Sequence, residues 1–271
     1  MEFLDSFLLG LIQGLTEFLP ISSSGHLVLG RAFLSSDLQK GITFEVVVHF
    51  GTLCSIVVYY RRELAGIMRS LLELAGSPGE FSRRLETDPN IKLSGYILLS
   101  MIPALVVGLT MEEYIEEVFL NPFMVSIMLL VTGALLFATK FRQTHTGSIG
   151  AGNSFAIGLA QAFAILPGIS RSGSTISLGL YLGIKREEVA NFSFLMVIPV
   201  IAGAMLLQVR EMIEMGIQVN VALDLVVGFL TAFVSGYFAL KYLIVMLKTK
   251  GIHPFAWYCW AIGIGGLIYF W

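Results

Sequence analysis

The chain has 271 residues, 56% of them hydrophobic and 13% charged, with a formal net charge of −2 and a mean hydropathy of +0.81. Soluble domains carry about 25% charged residues, so this composition excludes an ordinary soluble protein and predicts an integral membrane one. The small net charge shows no basic patch and gives no basis for nucleic-acid binding.

The N-terminal apolar region, residues 3–34, is interrupted by LPISSSGH. Glu2 and Asp5 stand where a cleavable signal peptide would carry basic residues. Six later stretches are long and apolar enough to cross a bilayer, which takes about 20 residues. They are 44–60, 93–110, 121–139, 190–209, 222–246 and 254–271. A second interrupted region, 153–184, is broken by LPGISRSG. The apolar runs are continuous rather than alternating, which predicts helices and not a barrel. Cys54 and Cys259 lie in such runs and read as packed thiols rather than a disulfide. Proline, glycine and serine at the two breaks free backbone groups that lipid cannot satisfy. Each interrupted region therefore reads as two short helices that enter the membrane and turn back.

The two breaks are copies of one another. Gln13 falls on Gln161, Ser22 on Ser170, Ser24 on Ser172, Gly25 on Gly173 and Phe44 on Phe192, always at the same offset of 148 residues. This predicts a duplicated architecture, residues 1–145 and residues 146–271, each with one re-entrant pair followed by three spans. Loop charges set the orientation. Arg61, Arg62, Arg69, Arg83, Arg84 and Lys92, then Lys140 and Arg142, then Lys248 and Lys250, mark one side, while Glu112, Glu113, Glu116 and Glu117 sit in a loop without basic residues. By the positive-inside rule the basic loops are cytoplasmic. The first re-entrant pair then enters from outside and the second from the cytoplasm, an all-α inverted-topology repeat of six transmembrane helices whose tips meet near the midplane.

The copies differ where chemistry could reside. Glu17 and His26 in the first correspond to Ile165 and Ser174 in the second, and Arg171 in the second corresponds to Ser23. Ionisable groups within membrane segments are costly and read by default as functional. Gln13 precedes Glu17 by one helical turn and shares its face. Ser22, Ser23, Ser24, Gly25 and His26 follow, while Ser170, Ser172 and Gly173 surround Arg171. Two hydroxyl- and glycine-rich turns with an arginine fork suit phosphate oxygens. Glu17 and Gln13 suit Mg²⁺ or Ca²⁺, which phosphate sites hold through one or two carboxylates. A serine hydroxyl, the His26 imidazole or a metal-bound water could attack phosphorus. Glu45 and His49 form a further pair four residues apart. The pair, Glu45 in particular, reads as support for the site or its metal rather than as a solvated pair at the interface.

QGLTEFLPISSSGH, FEVVVHFG, LPGISRSG and NFSFLMVIP, in this order, resemble the signature segments of the bacterial undecaprenyl-diphosphate phosphatases, the BacA-type bacitracin-resistance family. The resemblance runs nearly the whole chain. It implies an inner-membrane enzyme with inverted repeats and a site on the periplasmic side. Such an enzyme uses a divalent cation to convert the lipid diphosphate to the monophosphate carrier of cell-wall synthesis. Its E/Q-x3-E pair falls on Gln13 and Glu17, its serine–histidine turn on Ser22, Ser23 and His26, and its arginine loop on Arg171. Where some members carry glutamate this chain has Gln13. His49 replaces a glutamine of some relatives and receives no role by analogy. Another lipid-phosphatase class with S-G-H and S-R elements needs a histidine shortly after the arginine, and SRSGSTIS has none. The expected partners are a polyprenyl diphosphate and membrane lipids, with a homodimer left open. A transporter or flippase for a phosphorylated lipid or another anion is the competing reading, because broken helices at a midplane site are typical of transporters.

Overall fold

The computed structural model describes residues 3–34, 42–111, 114, 117, 118, 120–141, 144, 146–215 and 222–271. Among them the chain is helical, with twelve α-helices and one isolated β-bridge between Gly147 and Ile184. The first half holds α1 (Phe3–Phe18), α2 (Ser23–Leu34), α3 (Ile42–Tyr59), α4 (Arg61–Gly76), α5 (Phe81–Thr87), α6 (Pro89–Thr110) and α7 (Pro122–Ala138). The second holds α8 (Ala151–Phe163), α9 (Arg171–Tyr181), α10 (Arg186–Met215), α11 (Ala222–Thr249) and α12 (Phe255–Phe270).

Both interrupted regions are helix pairs, α1–α2 and α8–α9, and their chain breaks fall at 19–22 and 164–170. Among the described residues three helical stretches are long and apolar enough to cross a membrane: Pro89–Thr110, Pro122–Phe141 and Leu223–Thr249. Val46–Tyr59 and Phe255–Phe270 are apolar but shorter. The expected span 190–209 lies inside the longer α10, which begins with Arg186, Glu187 and Glu188 and contains Pro199. The protein is thus a membrane protein. The basic stretch after α3 is not an open loop. It folds as α4, a 3₁₀ turn and α5, cross-linked where Arg84 meets Glu73 and Glu80. Glu112, Glu113, Glu116, Arg142 and the Glu45 side chain lie outside the described residues.

Local chemistry starts the spans. Asp88 caps α6, accepting from Asn90 N at 2.8 Å, with Pro89 in the first turn. Asn121 caps α7 in the same way, accepting from Met124 N at 3.1 Å ahead of Pro122. An accepting side chain followed by proline meets the donor shortage of a helix start.

Packing crosses between the halves. The helix pair of each half lies against a long helix of the other, α1 on α11 and α8 on α6, while α3 packs on α10. Small residues make the close approach. A side-chain carbon at Gly14 would collide with Ser235 and with the Ala232 carbonyl, and one at Gly158 with the Ser100 carbonyl. Close backbone contact of this kind is how helices associate in lipid, where tails compete with any apolar side chain. The interior cluster combines Phe18, Ile56, Tyr60, Phe192, Phe194, Met196 and Leu240, drawn from both halves. Leu98, Leu109, Phe238, Trp257 and Ile268 point outward, where lipid rather than protein covers them. Many buried groups are polar instead, Gln13, Ser55, Ser100, Ser126, Ser154 and Ser177 among them.

Candidate active site

The two chain breaks meet. A carbon added at Gly25 would touch Gly168 Cα at 3.1 Å, so α2 begins against the opposite turn. Gly168 has φ +91 and tucks under Val125 and Met128 of α7, a conformation open to glycine. Thr132 fastens this turn to α7, donating to the Gly168 carbonyl at 2.8 Å and accepting from Ser170 N at 3.0 Å.

The turns repeat one motif. Ser22 Oγ accepts from Gly25 N at 3.2 Å and lies 3.3 Å from Ser24 Oγ. Ser170 Oγ accepts from Gly173 N at 3.1 Å and lies 3.3 Å from Ser172 Oγ. They differ in backbone. Ser170 has φ −75, whereas Ser22 has φ +68 and is the one non-glycine in the left-handed region among the described residues. That region costs a residue with a side chain roughly 1–2 kcal/mol.

Glu17 forms the centre. Its carboxylate pairs with Arg171 Nη2 through Oε1, while Oε2 accepts from Ser23 Oγ at 2.8 Å and from Gln13 Nε2 at 3.0 Å. The half that supplies the carboxylate lacks the guanidinium and the reverse, so the pair exists only between the two turns. Burial of an ion pair is costly unless remaining lone pairs are satisfied, and Ser23 and Gln13 satisfy them. Ser23 and Arg171 occupy the first positions of α2 and α9, so both side chains start from helix N-termini, where free N–H groups and the helix dipole favour anions.

Beside this pair opens a cavity of about 360 Å³, lined by Thr16, Glu17, Ser22, Ser23, Ser24, Ser170 and Arg171 together with His49, Ala164, Ile165, Ile169 and Ile201. The expected residues Glu17, Ser22, Ser23, Ser24, Ser170 and Arg171 are therefore brought together. Gln13 stands behind Glu17. Gly25, Ser172 and Gly173 form the packing and hydrogen bonds of the turns, Ser172 donating to the Leu19 carbonyl at 3.4 Å. His26 is not part of the lining. Its Nδ1 lies 2.7 Å from the Ser22 carbonyl and its Nε2 lies 2.9 Å from the Tyr258 hydroxyl. His49, read from sequence with Glu45 as support for the site or its metal and given no role by analogy, faces the cavity from α3; an imidazole in a span otherwise free of charge beyond Glu45 was its signal. Thr132 and Tyr258 gave no signal, being ordinary residues of apolar spans.

The cavity joins a carboxylate, a hydroxyl already donating to it, a guanidinium with further N–H groups, and several hydroxyls. Such a set can bind a phosphorylated group and deprotonate an attacking hydroxyl. No cluster of three or more His, Cys, Asp or Glu gathers among the described residues. Gln13 Oε1, however, is buried without a hydrogen-bond partner, next to Glu17. One carboxylate and one orphaned amide oxygen fit a hard divalent ion that takes its remaining ligands from phosphate and water.

Comparison with known proteins identifies the family of the chain. Residues 6–265 match the family described as bacitracin resistance protein BacA. A protein of Rubrobacter xylanophilus named undecaprenyl-diphosphatase is 40% identical over 97% of this chain and 96% of its own. One of the same name from Bacteroides thetaiotaomicron is 42% identical over 99% of both chains, and another from Korarchaeum cryptofilum is 39% identical over 97% and 98%. With a match across nearly all its helices and both serine turns, the chain belongs to the BacA family.

Proposed function

We propose that this protein hydrolyses undecaprenyl diphosphate to undecaprenyl phosphate and inorganic phosphate, returning the lipid carrier to cell-wall synthesis, and that this activity confers resistance to bacitracin. The observation that carries the reading is the contact of Ser23 with a Glu17 carboxylate that is also paired to Arg171. Ser23 Oγ attacks the terminal phosphorus while its proton passes to Glu17. The bond from that phosphorus to the bridging oxygen breaks, and undecaprenyl phosphate leaves with the bridging oxygen. Arg171 turns its remaining N–H groups to the terminal phosphate oxygens and stabilises the charge that spreads there. Water then attacks the phosphoserine, the serine oxygen recovers a proton by way of Glu17, and inorganic phosphate departs. Glu17 and Gln13 Oε1 are the groups that would hold a divalent ion, whose bound charge would offset that of the diphosphate. Ser22, Ser24, Ser170 and the N–H groups of the two turns orient the head group, and the prenyl tail stays among lipid-facing helix surfaces.

The architecture we assign is the inverted repeat of residues 1–145 and 146–271, with six spans and α1–α2 and α8–α9 as re-entrant pairs. The exchanged packing of α1 on α11 and α8 on α6 supports it. In the bacterial plasma membrane the site opens to the periplasm, in keeping with the loop charges. The test is turnover of undecaprenyl diphosphate, labelled in its terminal phosphate, by purified protein in detergent. Wild-type protein quenched in the steady state should carry label on Ser23, and Ser23→Ala should lose at least about 10²-fold in turnover. Near-normal turnover of Ser23→Ala would overturn the assignment of the nucleophile.

A further inference from the structure

The two turns are copies in sequence and in side-chain capping, yet only the first adopts a left-handed residue. Ser22 has φ +68 where Ser170 has φ −75. The residue four positions on also differs. In the second copy it is Ser174, whose buried hydroxyl has no partner. In the first it is His26, and its ring is committed at both nitrogens.

The tautomer follows from the partners. A carbonyl oxygen only accepts, so the nitrogen 2.7 Å from the Ser22 carbonyl must carry the proton, and His26 is the Nδ1–H form. In the neutral ring Nε2 then bears the lone pair, and the Tyr258 hydroxyl at 2.9 Å donates to it. The two rings also stack, 5.5 Å between centroids and 9° between planes, which fixes the imidazole against rotation. The Ser22 carbonyl receives a second donor, His26 N at 3.2 Å. A chain of bonds thus runs from α12 through the imidazole to the one strained peptide of the turn. Cys259, next to Tyr258, donates to the Pro20 carbonyl at 3.7 Å, so α12 holds the turn on both sides of Ser22's predecessor.

We infer that Tyr258 is a positioning residue for the phosphatase site: through His26 it holds Ser22 in its left-handed conformation and so aims the Ser23 hydroxyl at Glu17. The inference rests on the proposed role of Ser23. The imidazole acts as a strut, its lone pair occupied by tyrosine rather than aimed at phosphorus. The second turn needs no strut because Ser170 takes ordinary backbone angles; there Ser174 N still donates to the Ser170 carbonyl at 2.8 Å, and only the side-chain bonds have no counterpart.

A double-mutant cycle between positions 258 and 22 tests this. Tyr258→Phe keeps the stacked ring and removes the donor. It should lower kcat roughly 3- to 10-fold, the scale of one net hydrogen bond, with KM for the lipid diphosphate unchanged within twofold. Ser22→Asn supplies a residue that adopts the left-handed region readily and still caps a helix start. Comparing Ser22→Asn with the Ser22→Asn/Tyr258→Phe double variant, the tyrosine change should then alter kcat by less than twofold. An undiminished loss in the asparagine background, or no loss in the wild-type background, would overturn the inference. An arm independent of activity is the nitrogen-15 spectrum of histidine-labelled protein, with His26 assigned by its disappearance in His26→Gln. It should show the Nδ1–H tautomer, with a bare-nitrogen resonance that shifts in Tyr258→Phe; an Nε2–H tautomer would refute the strut. If Ser23→Ala remained active, the role of Ser23 would fall while the spectrum still decided the strut. Should Tyr258→Phe fail to fold, His26→Gln, which can still donate to the Ser22 carbonyl but cannot stack, takes its place in the same cycle with the same expected rescue.

Discussion

Arg171→Lys separates a phosphate clamp from an ion pair that merely joins the two halves. Arg171 is anchored by one terminal nitrogen on Glu17 Oε1, which leaves the rest of the fork for an anion in the cavity. Lysine keeps the charge but has a single nitrogen on a shorter, non-planar stem. It can stay on Glu17 or reach phosphate, not both with good geometry. The loss is one charge-assisted hydrogen bond, about 1.5–3 kcal/mol, or roughly 10- to 100-fold in turnover. Folding should survive, since Glu17 is only 6% exposed in its side chain and still has Ser23 and Gln13 as donors. Arg171→Ala is a poorer probe because it strands a buried carboxylate, which costs about 3–5 kcal/mol and confuses folding with catalysis. The assay is phosphate release from a prenyl diphosphate by purified protein, paired with a thermal melt in the same detergent. Full activity in Arg171→Lys would refute the clamp. So would activity in the Glu17→Ala/Arg171→Ala double variant, where neither charge is left unpaired; that protein should fold and be inactive.

Glu17→Gln should cut turnover by at least about 10²-fold while lipid binding persists, and near-normal turnover at saturating Mg²⁺ would remove Glu17 as base and ligand. A cysteine at Ser24, on the cavity lining, should react with a membrane-impermeant thiol reagent added to intact spheroplasts; labelling confined to inside-out vesicles would reverse the orientation. Gly168→Ala places a carbon 2.5 Å from the Val125 carbonyl at φ +91, so the melting temperature should fall steeply, and an unchanged melt would show that the turn can move away from α7.

Sequence alone located the two helix pairs, because proline and paired serines in apolar surroundings have few other uses. The complementary placement of Glu17 and Arg171 was legible for the same reason: Glu17 is the sole charge between Ser6 and Gly30 and Arg171 the sole charge between Asn153 and Ile184, and the repeat maps one stretch onto the other. Among the described residues three helical stretches meet the length and hydropathy of a span, and the expected spans 44–60 and 254–271 appear as shorter apolar helices, because the length of an apolar run does not say where capping and tight turns end a helix. The basic stretch 61–92 looked like a loop by charge, yet arginines spaced along one face are compatible with the helices α4 and α5. His49 could not be placed without knowing that α3 packs between α1 and α10. The partnership of His26 with Tyr258, 232 residues apart, has no local signature at all.

The crossed packing of α1 on α11 sets a schedule for biogenesis. The glycine face of α1 is made at the start of translation, whereas Ala232 and Ser235 emerge roughly 220 residues later, a delay of about 10–40 s at 5–20 residues per second. Throughout that interval the helix pair bearing Glu17 lacks its supporting helix, and for most of it the glutamate is also uncompensated, because Arg171 is made only about 60 residues ahead of Ala232. The first half therefore has no stable resting place in the bilayer by itself, and the nascent chain depends on the insertion machinery to shelter it until the second half arrives.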